Sequence, residues 1–294
     1  MSVMRDRQNP FTISTTAQAL LTLLPGGIWM LALLVAPLGL ILVYSFAQRG
    51  AYGSIIYAFT LENYLYFMDP LYLKILGRSF KLSIVTTIIC LLISYPFALW
   101  LVKRCPRSRP IFLLLIVIPF WTNFLIRTYA WIILLRTEGI INNALIKLGL
   151  ISQPLSLLYN QEAVLLGLVY GFLPFMILPI YASLEKLDWR LIEAAYDLGS
   201  KPWQAFVKVI LPLTMPGITA GCLLVLVPSL GMFIIPDLMG GAKTALIGNL
   251  IQNQFMAARN WQFGSAASII LTVLVFFGLA IYWRVAKWAK QEVL

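Results

Sequence analysis

Six long apolar stretches limit what this sequence can become: residues 25–46, 79–102, 111–135, 163–184, 211–236 and 265–283. A helix rises 1.5 Å per residue, so about 20 residues cross the ~30 Å hydrocarbon core of a bilayer, and each stretch is near or above that length. Backbone amides in lipid must be paired within the chain, which leaves helices or a closed barrel. Barrel strands alternate apolar and polar residues. The run Leu113, Leu114, Leu115, Ile116, Val117, Ile118 does not. The predicted fold class is therefore all-α integral membrane, with six transmembrane helices.

Composition supports lipid as the solvent. Of the 294 residues, 61% are hydrophobic and 11% charged, where a soluble domain carries about 25% charged residues. The net charge of +11 would suit nucleic acid if the basic residues formed one patch. They fall instead in short clusters between apolar runs, as topology signals do, so no nucleic-acid partner is expected. There is no histidine, and Cys90, Cys105 and Cys222 have no metal-like spacing. Zinc, haem and a disulfide framework are not expected, and neither is any other cofactor.

Lysine and arginine also set the expected orientation. With the N-terminus in the cytoplasm, thirteen basic residues lie inside, among them Arg5, Arg7, Lys103, Arg104, Lys186, Lys201, Lys287 and Lys290. Seven lie outside, including Arg78, Arg136 and Lys243. The positive-inside rule then puts both termini in the cytoplasm, and an even number of spans agrees. Ser45 and Ala47 sit like a signal-peptide cleavage site, but the run before them exceeds the 7–15 residues of a signal core and reads as a retained span.

The substantial cytoplasmic loop, about 185–210, has helical pattern of its own. Asp188 can cap a helix. Leu191, Ile192, Ala195 and Leu198 recur on one face, and Arg190, Glu193 and Asp197 on the other. Gly199 is a left-handed stop, Ser200 can cap a second helix, and Trp203, Phe206, Val207 and Ile210 form a second apolar stripe. Such a helix–glycine–helix unit either lies on the headgroups or docks in a groove on a partner.

Glu193-Ala194-Ala195, three residues, Gly199, nine residues, then Val209-Ile210-Leu211-Pro212 closely resembles the EAA signature of ABC importer permeases, E-A-A-x3-G-x9-I-x-L-P. Val209 for isoleucine is the one departure. The resemblance implies a type I ABC importer transmembrane domain whose cytoplasmic loop is a coupling helix seated in an ATPase subunit. Glu193, Ala194, Ala195, Gly199 and Pro212 are the expected coupling residues. Ala194 and Ala195 keep the helix thin, and Glu193 offers a charge to the partner or to Arg190. The implied organisation is 1–60 as N-terminal segment and first span, 61–285 as permease domain and 286–294 as cytoplasmic tail.

The chain is not expected to be an enzyme. Gly240-Gly241-Ala242-Lys243-Thr244 lacks the adjacent Gly-Lys-Ser/Thr of a phosphate-binding loop, so ATP hydrolysis falls to another subunit. The spans hold no paired carboxylates for ion coupling or proton relay, which counts against a secondary transporter, and no nucleophile–base set for a membrane enzyme.

The resemblance extends to cargo. Pro119-Phe120-Trp121-Thr122-Asn123, Leu125-Ile126-Arg127, Pro212 to Ile218, Asp237-Leu238-Met239-Gly240-Gly241, Ile247-Gly248-Asn249 and Tyr282-Trp283-Arg284 are similar to the spermidine/putrescine importer permeases, in particular the first of their two permease subunits. This implies a bacterial inner-membrane location, alternating-access transport, a second homologous permease, two ATPase copies and an extracytoplasmic substrate-binding protein. The same machine carrying an amino acid, sulfate or ferric ion is the alternative. A polycation pathway wants carboxylates and aromatic faces. Asp237 is the candidate carboxylate, or else part of a helix-ending turn. Trp121, Tyr129, Tyr170 and Phe172 line a cavity or serve as packing and interface belt. Pro119, Pro174, Pro179 and Pro228 interrupt spans and could kink them. Arg127 would repel a cation, and snorkels outward or pairs with a carboxylate of the partner permease.

Overall fold

The computed structural model describes residues 15–104, 106–241 and 244–291. Arg5, Arg7, Cys105, Ala242 and Lys243, and the side chains of Trp283, Lys287 and Lys290, lie outside the described residues. In chain order the helices are α1 (Thr15–Ser45), α2 (Glu62–Phe67), α3 (Pro70–Val102), α4 (Arg109–Trp121), α5 (Phe124–Leu135), α6 (Ile140–Lys147), α7 (Gln161–Glu185), α8 (Arg190–Asp197), α9 (Pro202–Ala205), α10 (Leu211–Gly231), α11 (Ile234–Met239), α12 (Ile247–Met256) and α13 (Trp261–Gln291). Two short strands, β1 (Gln48–Arg49) and β2 (Ile55–Ile56), pair antiparallel.

Among the described residues, five helices are long and apolar enough to cross a membrane, and a sixth span exists if one bent pair counts as one. The bent pair is the expected third span. It is not a straight helix: residues 109–121 and 124–147 meet at 91°. Thr122 and Asn123 take extended ψ values of 148° and 132°, and the Asn123 side chain accepts from the Leu125 N–H at 2.8 Å. An N-cap in the middle of an apolar run restarts the helix in a new direction. Pro119 lies just before this break. Pro174 and Pro179 break nothing, because α7 continues through both, and the carbonyls they free are tolerated where neighbouring helices pack. The fifth span also ends sooner than 236. Helix α10 stops at Gly231, Met232 is extended, and α11 restarts at Ile234.

Caps set the other lengths. Helix α3 begins nine residues before the apolar stretch, because Asp69 accepts from the Leu71 N–H at 2.8 Å with Pro70 in the first turn. Asn160 caps α7 through the Ala163 N–H at 2.7 Å.

By compactness the chain divides into two units: the described residues up to Tyr66 with those from Arg259, and Phe67–Ala258. In the first, α1 packs along α13. The Asn63 amide donates to the Ser45 and Ala47 carbonyls at 3.1 and 2.9 Å, holding the end of α1. Residues 22–38 of α1 are all exposed, as a helix facing lipid or a partner subunit would be.

In the second unit α3, α7 and α10 pack against one another. Their core contains Cys90, Ala98, Leu101, Leu168, Met176 and Ile180. Buried hydroxyls stay paired by bonding back along their own helices: Thr86 donates to Leu82 O at 2.8 Å and Thr87 to Ser83 O at 2.8 Å. Helices α7 and α10 approach closely because Gly217 and Gly221 carry no side chain there. A β-carbon at 217 would stand 2.5 Å from the Pro179 carbonyl oxygen, and one at 221 would stand 2.7 Å from Met176 Sδ. Small residues four apart are a membrane-helix contact pattern.

Candidate functional site

The element between α7 and α10 is built from its caps. The Asp188 carboxylate accepts from the Arg190 N–H at 3.1 Å and starts α8. Gly199 ends it at φ +82°, with Leu198 N–H donating to Ala194 O at 3.0 Å and Ser200 N–H to Ala195 O at 2.9 Å. This six-to-one closure needs a left-handed residue, and glycine adopts it without a β-carbon penalty. The second helix is capped differently from expectation. Lys201 rather than Ser200 is the N-cap, and Gln204 reaches back so that its Oε1 accepts from the Lys201 N–H at 3.0 Å. A glutamine at the third helical position can satisfy that donor without a hydroxyl cap.

Beyond Gln204 the helix does not stop. Pro202–Gly231 is continuous, passing through a π-helical turn at Phe206–Ile210, where the Leu211 N–H donates to Phe206 O. Pro212 brings no N–H to the ladder, and the wider turn lies directly before it. The second arm of the loop and the following span are therefore one rod of about 45 Å.

The expected apolar face of α8 is divided. Ile192 is buried and Ala195 packs against the core, whereas Leu198 is 87% exposed and Leu191 49%. Helical spacing places Ile192 and Ala195 toward α9 and leaves the others outward. Glu193 and Ala194 are exposed, and among the described residues the Glu193 carboxylate has no hydrogen bond or ion pair, with Arg190 or any other residue. Trp203 is 71% exposed and stacks on Phe206 at 5.6 Å; Phe206 meets Tyr95 edge-on at 5.6 Å. The Tyr95 hydroxyl lies 3.0 Å from Thr214 Oγ1. This chain of contacts ties the loop to α3 and α10. Pro212 is exposed in the first turn of α10.

At the other end of α10, Asp237 is exposed on α11. The Asn249 side-chain amide donates both to Asp237 Oδ1 and to Phe233 O, the latter at 2.9 Å. The neighbouring Gly248 allows the backbone to pass against the α10 end: a β-carbon there would stand 2.7 Å from the Gly231 carbonyl. Ile247 N–H donates to Ser79 Oγ at 2.8 Å. Asp237 is thus oriented by a neighbour rather than left as a free turn residue. Sequence reasoning missed Asn249 in this role.

The aromatic candidates separate. Trp121 is 78% exposed at the 91° break, and Tyr129 is exposed on α5. Tyr170 projects from α7 and meets Trp131 edge-on at 5.4 Å. Phe172 is buried in the core, 6.2 Å from Phe175, which in turn meets Phe120 at 5.1 Å. Arg127 does not reach outward. Its guanidinium lies over the rings of Phe120, Phe124 and Tyr170. Among the described residues no hydrogen bond or ring contact joins any of these side chains to Asp237.

A cavity of about 820 Å³ opens at the start of α7, the end opposite the 186–210 element, lined by Arg78, Arg136, Glu138, Tyr159, Asn160 and Thr244. Two arginines make it a poor station for a polycation. Among the described residues there is no cluster of metal-ligating side chains, and Cys90 and Cys222 are free thiols.

Comparison with known proteins places this architecture. The family described as binding-protein-dependent transport system inner membrane component matches residues 71–291. The spermidine/putrescine transport system permease protein PotB of Haemophilus influenzae is 51% identical over 267 residues, covering 90% of this chain and 93% of that protein. The PotB of Escherichia coli is 45% identical over 265 residues, covering 90% and 96%. Among solved structures, a bacterial alginate ABC transporter in complex with an alginate pentasaccharide-bound periplasmic protein aligns with a TM-score of 0.71 at 18% identity, over 92% of this chain and 95% of that one. That likeness is one of fold.

Proposed function

Because the chain belongs to the family of binding-protein-dependent transport system inner membrane components, we propose that it is the membrane-spanning permease subunit of an ATP-driven importer of spermidine and putrescine. The observation that carries the mechanism is the exposed, unpaired Glu193 on a helix that turns at Gly199 into a rod continuous with the fifth span. A motor holding α8 thereby moves a transmembrane helix directly.

The 186–210 element faces the cytoplasm, and both termini lie there, in line with the excess of lysine and arginine on that side. The partners are a second permease homologous to this one, two copies of an ATP-hydrolysing subunit that receive Glu193, Ala194 and Ala195, and an extracytoplasmic substrate-binding protein. Polyamine cargo is supported by the relatives of 45–51% identity over nine-tenths of the chain. Asp237, Trp121, Tyr129 and Tyr170 face the pathway completed by the second permease, and Phe172 supports that wall from behind through Phe175 and Phe120. ATP binding draws the coupling elements together and opens the pathway toward the binding protein; hydrolysis reverses the motion.

Uptake of radiolabelled spermidine and putrescine by cells with and without this gene tests the cargo. Glu193→Lys tests the mechanism: the variant is inserted at wild-type levels but transports at least about tenfold less, because a lysine entering the site of a buried charge contact costs on the order of 2 kcal/mol or more. Normal uptake by that variant would refute the role given to Glu193.

A further inference from the structure

Arg127 sits in the first turn of α5, inside an apolar stretch, with its guanidinium against aromatic rings. The guanidinium carbon is 5.6 Å from the Phe120 ring centroid, 5.6 Å from Phe124 and 6.0 Å from Tyr170. Its Nε is buried with no hydrogen-bond partner. Among the described residues no aspartate or glutamate pairs with it. An ionisable group at membrane depth without a counter-ion is costly and marks a functional position. Here the charge is met by π faces contributed by three elements: α4, α5 and α7.

We infer that Phe120, Phe124 and Tyr170 form a binding station for an alkylammonium group, and that Arg127 occupies it as a tethered stand-in which a polyamine amine displaces. The inference rests on the polyamine reading above. Ring quadrupoles attract a guanidinium and a primary ammonium by the same electrostatics. Two cations cannot share one cage a few ångströms wide, because like charges at that range repel strongly in a low dielectric. Occupation is therefore competitive. The hold is also weak enough to exchange, since cation–π contacts are worth a factor of about 2 to 30 in affinity, whereas a buried ion pair would lock the side chain. The cage spans the Thr122–Asn123 break, with Phe120 before it and Phe124 after it, so a change of the 91° bend moves one wall relative to the other. This places cage opening under the control of the same span geometry that alternating access changes. It also removes the objection that Arg127 repels cargo: the arginine holds the site until cargo takes it.

Equilibrium binding of radiolabelled spermidine to the purified permease–ATPase complex, without the binding protein, tests this directly. Arg127→Gln vacates the cage and should tighten binding about 3- to 10-fold. Tyr170→Leu and, independently, Phe120→Leu remove a wall and should weaken it by about 2- to 30-fold. Tyr170→Leu added to Arg127→Gln should abolish the gain. Each complex is first checked for co-purification of the second permease. If Arg127→Gln binds no more tightly, or loses the second permease because the arginine pairs with a carboxylate there, the inference is overturned. Unchanged binding in both ring variants overturns it as well. Spermidine uptake by the complete wild-type system is the separate control: its absence would sink the polyamine reading itself, whereas uptake with unresponsive variants would sink only the cage.

Discussion

Gly217 and Pro179 meet backbone to backbone: a single β-carbon at position 217 would come within 2.5 Å of the Pro179 carbonyl oxygen and 2.7 Å of Ser183 Cβ. Pro179 lies two turns before the end of α7, and Gly217 two turns into α10. The two helices that flank the 186–210 element are thus clamped just above it. Force applied to the element meets a fixed pair of helices rather than two independent ones.

Gly217→Val should therefore destabilise the complex by about 1–3 kcal/mol, the usual cost of forcing bulk into a packed contact. The neighbouring backbone is a carbonyl in a helix and cannot rotate away. Gly231→Ala, whose β-carbon would meet nothing within 4 Å, is the matched control and should leave stability unchanged or slightly raised. Thermal unfolding of the detergent-solubilised complex measures both.

Gly199→Ala should weaken the α8 stop by about 1 kcal/mol, because φ +82° puts a β-carbon against the following carbonyl. Gly199→Asn should cost less, since asparagine tolerates the left-handed region. Polyamine-stimulated ATPase activity of the reconstituted system, compared with basal ATPase activity, reports the loss of coupling. Equal stimulation in wild type and Gly199→Ala would argue that the turn does not transmit force.

One side-chain bond caps the helix that follows the break in the third span. Asn123→Ala removes the bond to the Leu125 N–H and should cost about 1 kcal/mol, with Asn123→Asp or Asn123→Ser largely restoring it. Melting temperatures of the three variants rank them. Identical values would mean that surrounding packing, not the cap, maintains the bend.

Asp237 and Asn249 separate charge from architecture. Asp237→Asn keeps an acceptor for the Asn249 amide but loses the negative charge, so it should reduce spermidine uptake with little effect on stability. Asn249→Ala removes one of two donors to the Phe233 carbonyl, which keeps the Asp237 N–H, and should lower stability by about 0.5–1.5 kcal/mol. If Asp237→Asn transports at the wild-type rate, Asp237 serves the fold and not the cargo.

Much of the membrane architecture was readable from residue order. Twenty apolar residues in a row have no other stable environment than lipid, so the number of crossings followed from counting. Asp188 and Gly199 were readable because capping is a local event, decided within five residues. Pro119 pointed to a bend in the third span, but the helix restart at Asn123 was missed although its signal, an asparagine amid apolar residues, was present. Span length masked it, since 111–135 is long enough to cross without interruption. The continuity from Pro202 to Gly231 was also hidden, because Pro202, Pro212 and Pro216 look like punctuation; Pro202 falls in the initial turn, where a missing N–H costs little, and the π-helical turn directly before Pro212 carries the helix past it.

The order of residues by itself determined that this chain lives in a bilayer, roughly how often it crosses, and that a small helical element with Glu193 on it interrupts the crossings, because these depend on transfer to lipid and on short-range hydrogen bonds. Only the tertiary structure decided that Gly217 faces Pro179, that Asn249 orients Asp237, and that Arg127 is held by rings from three helices. Most of those contacts join different helices, and periodicity says which face of a helix is apolar without saying which other helix will cover it.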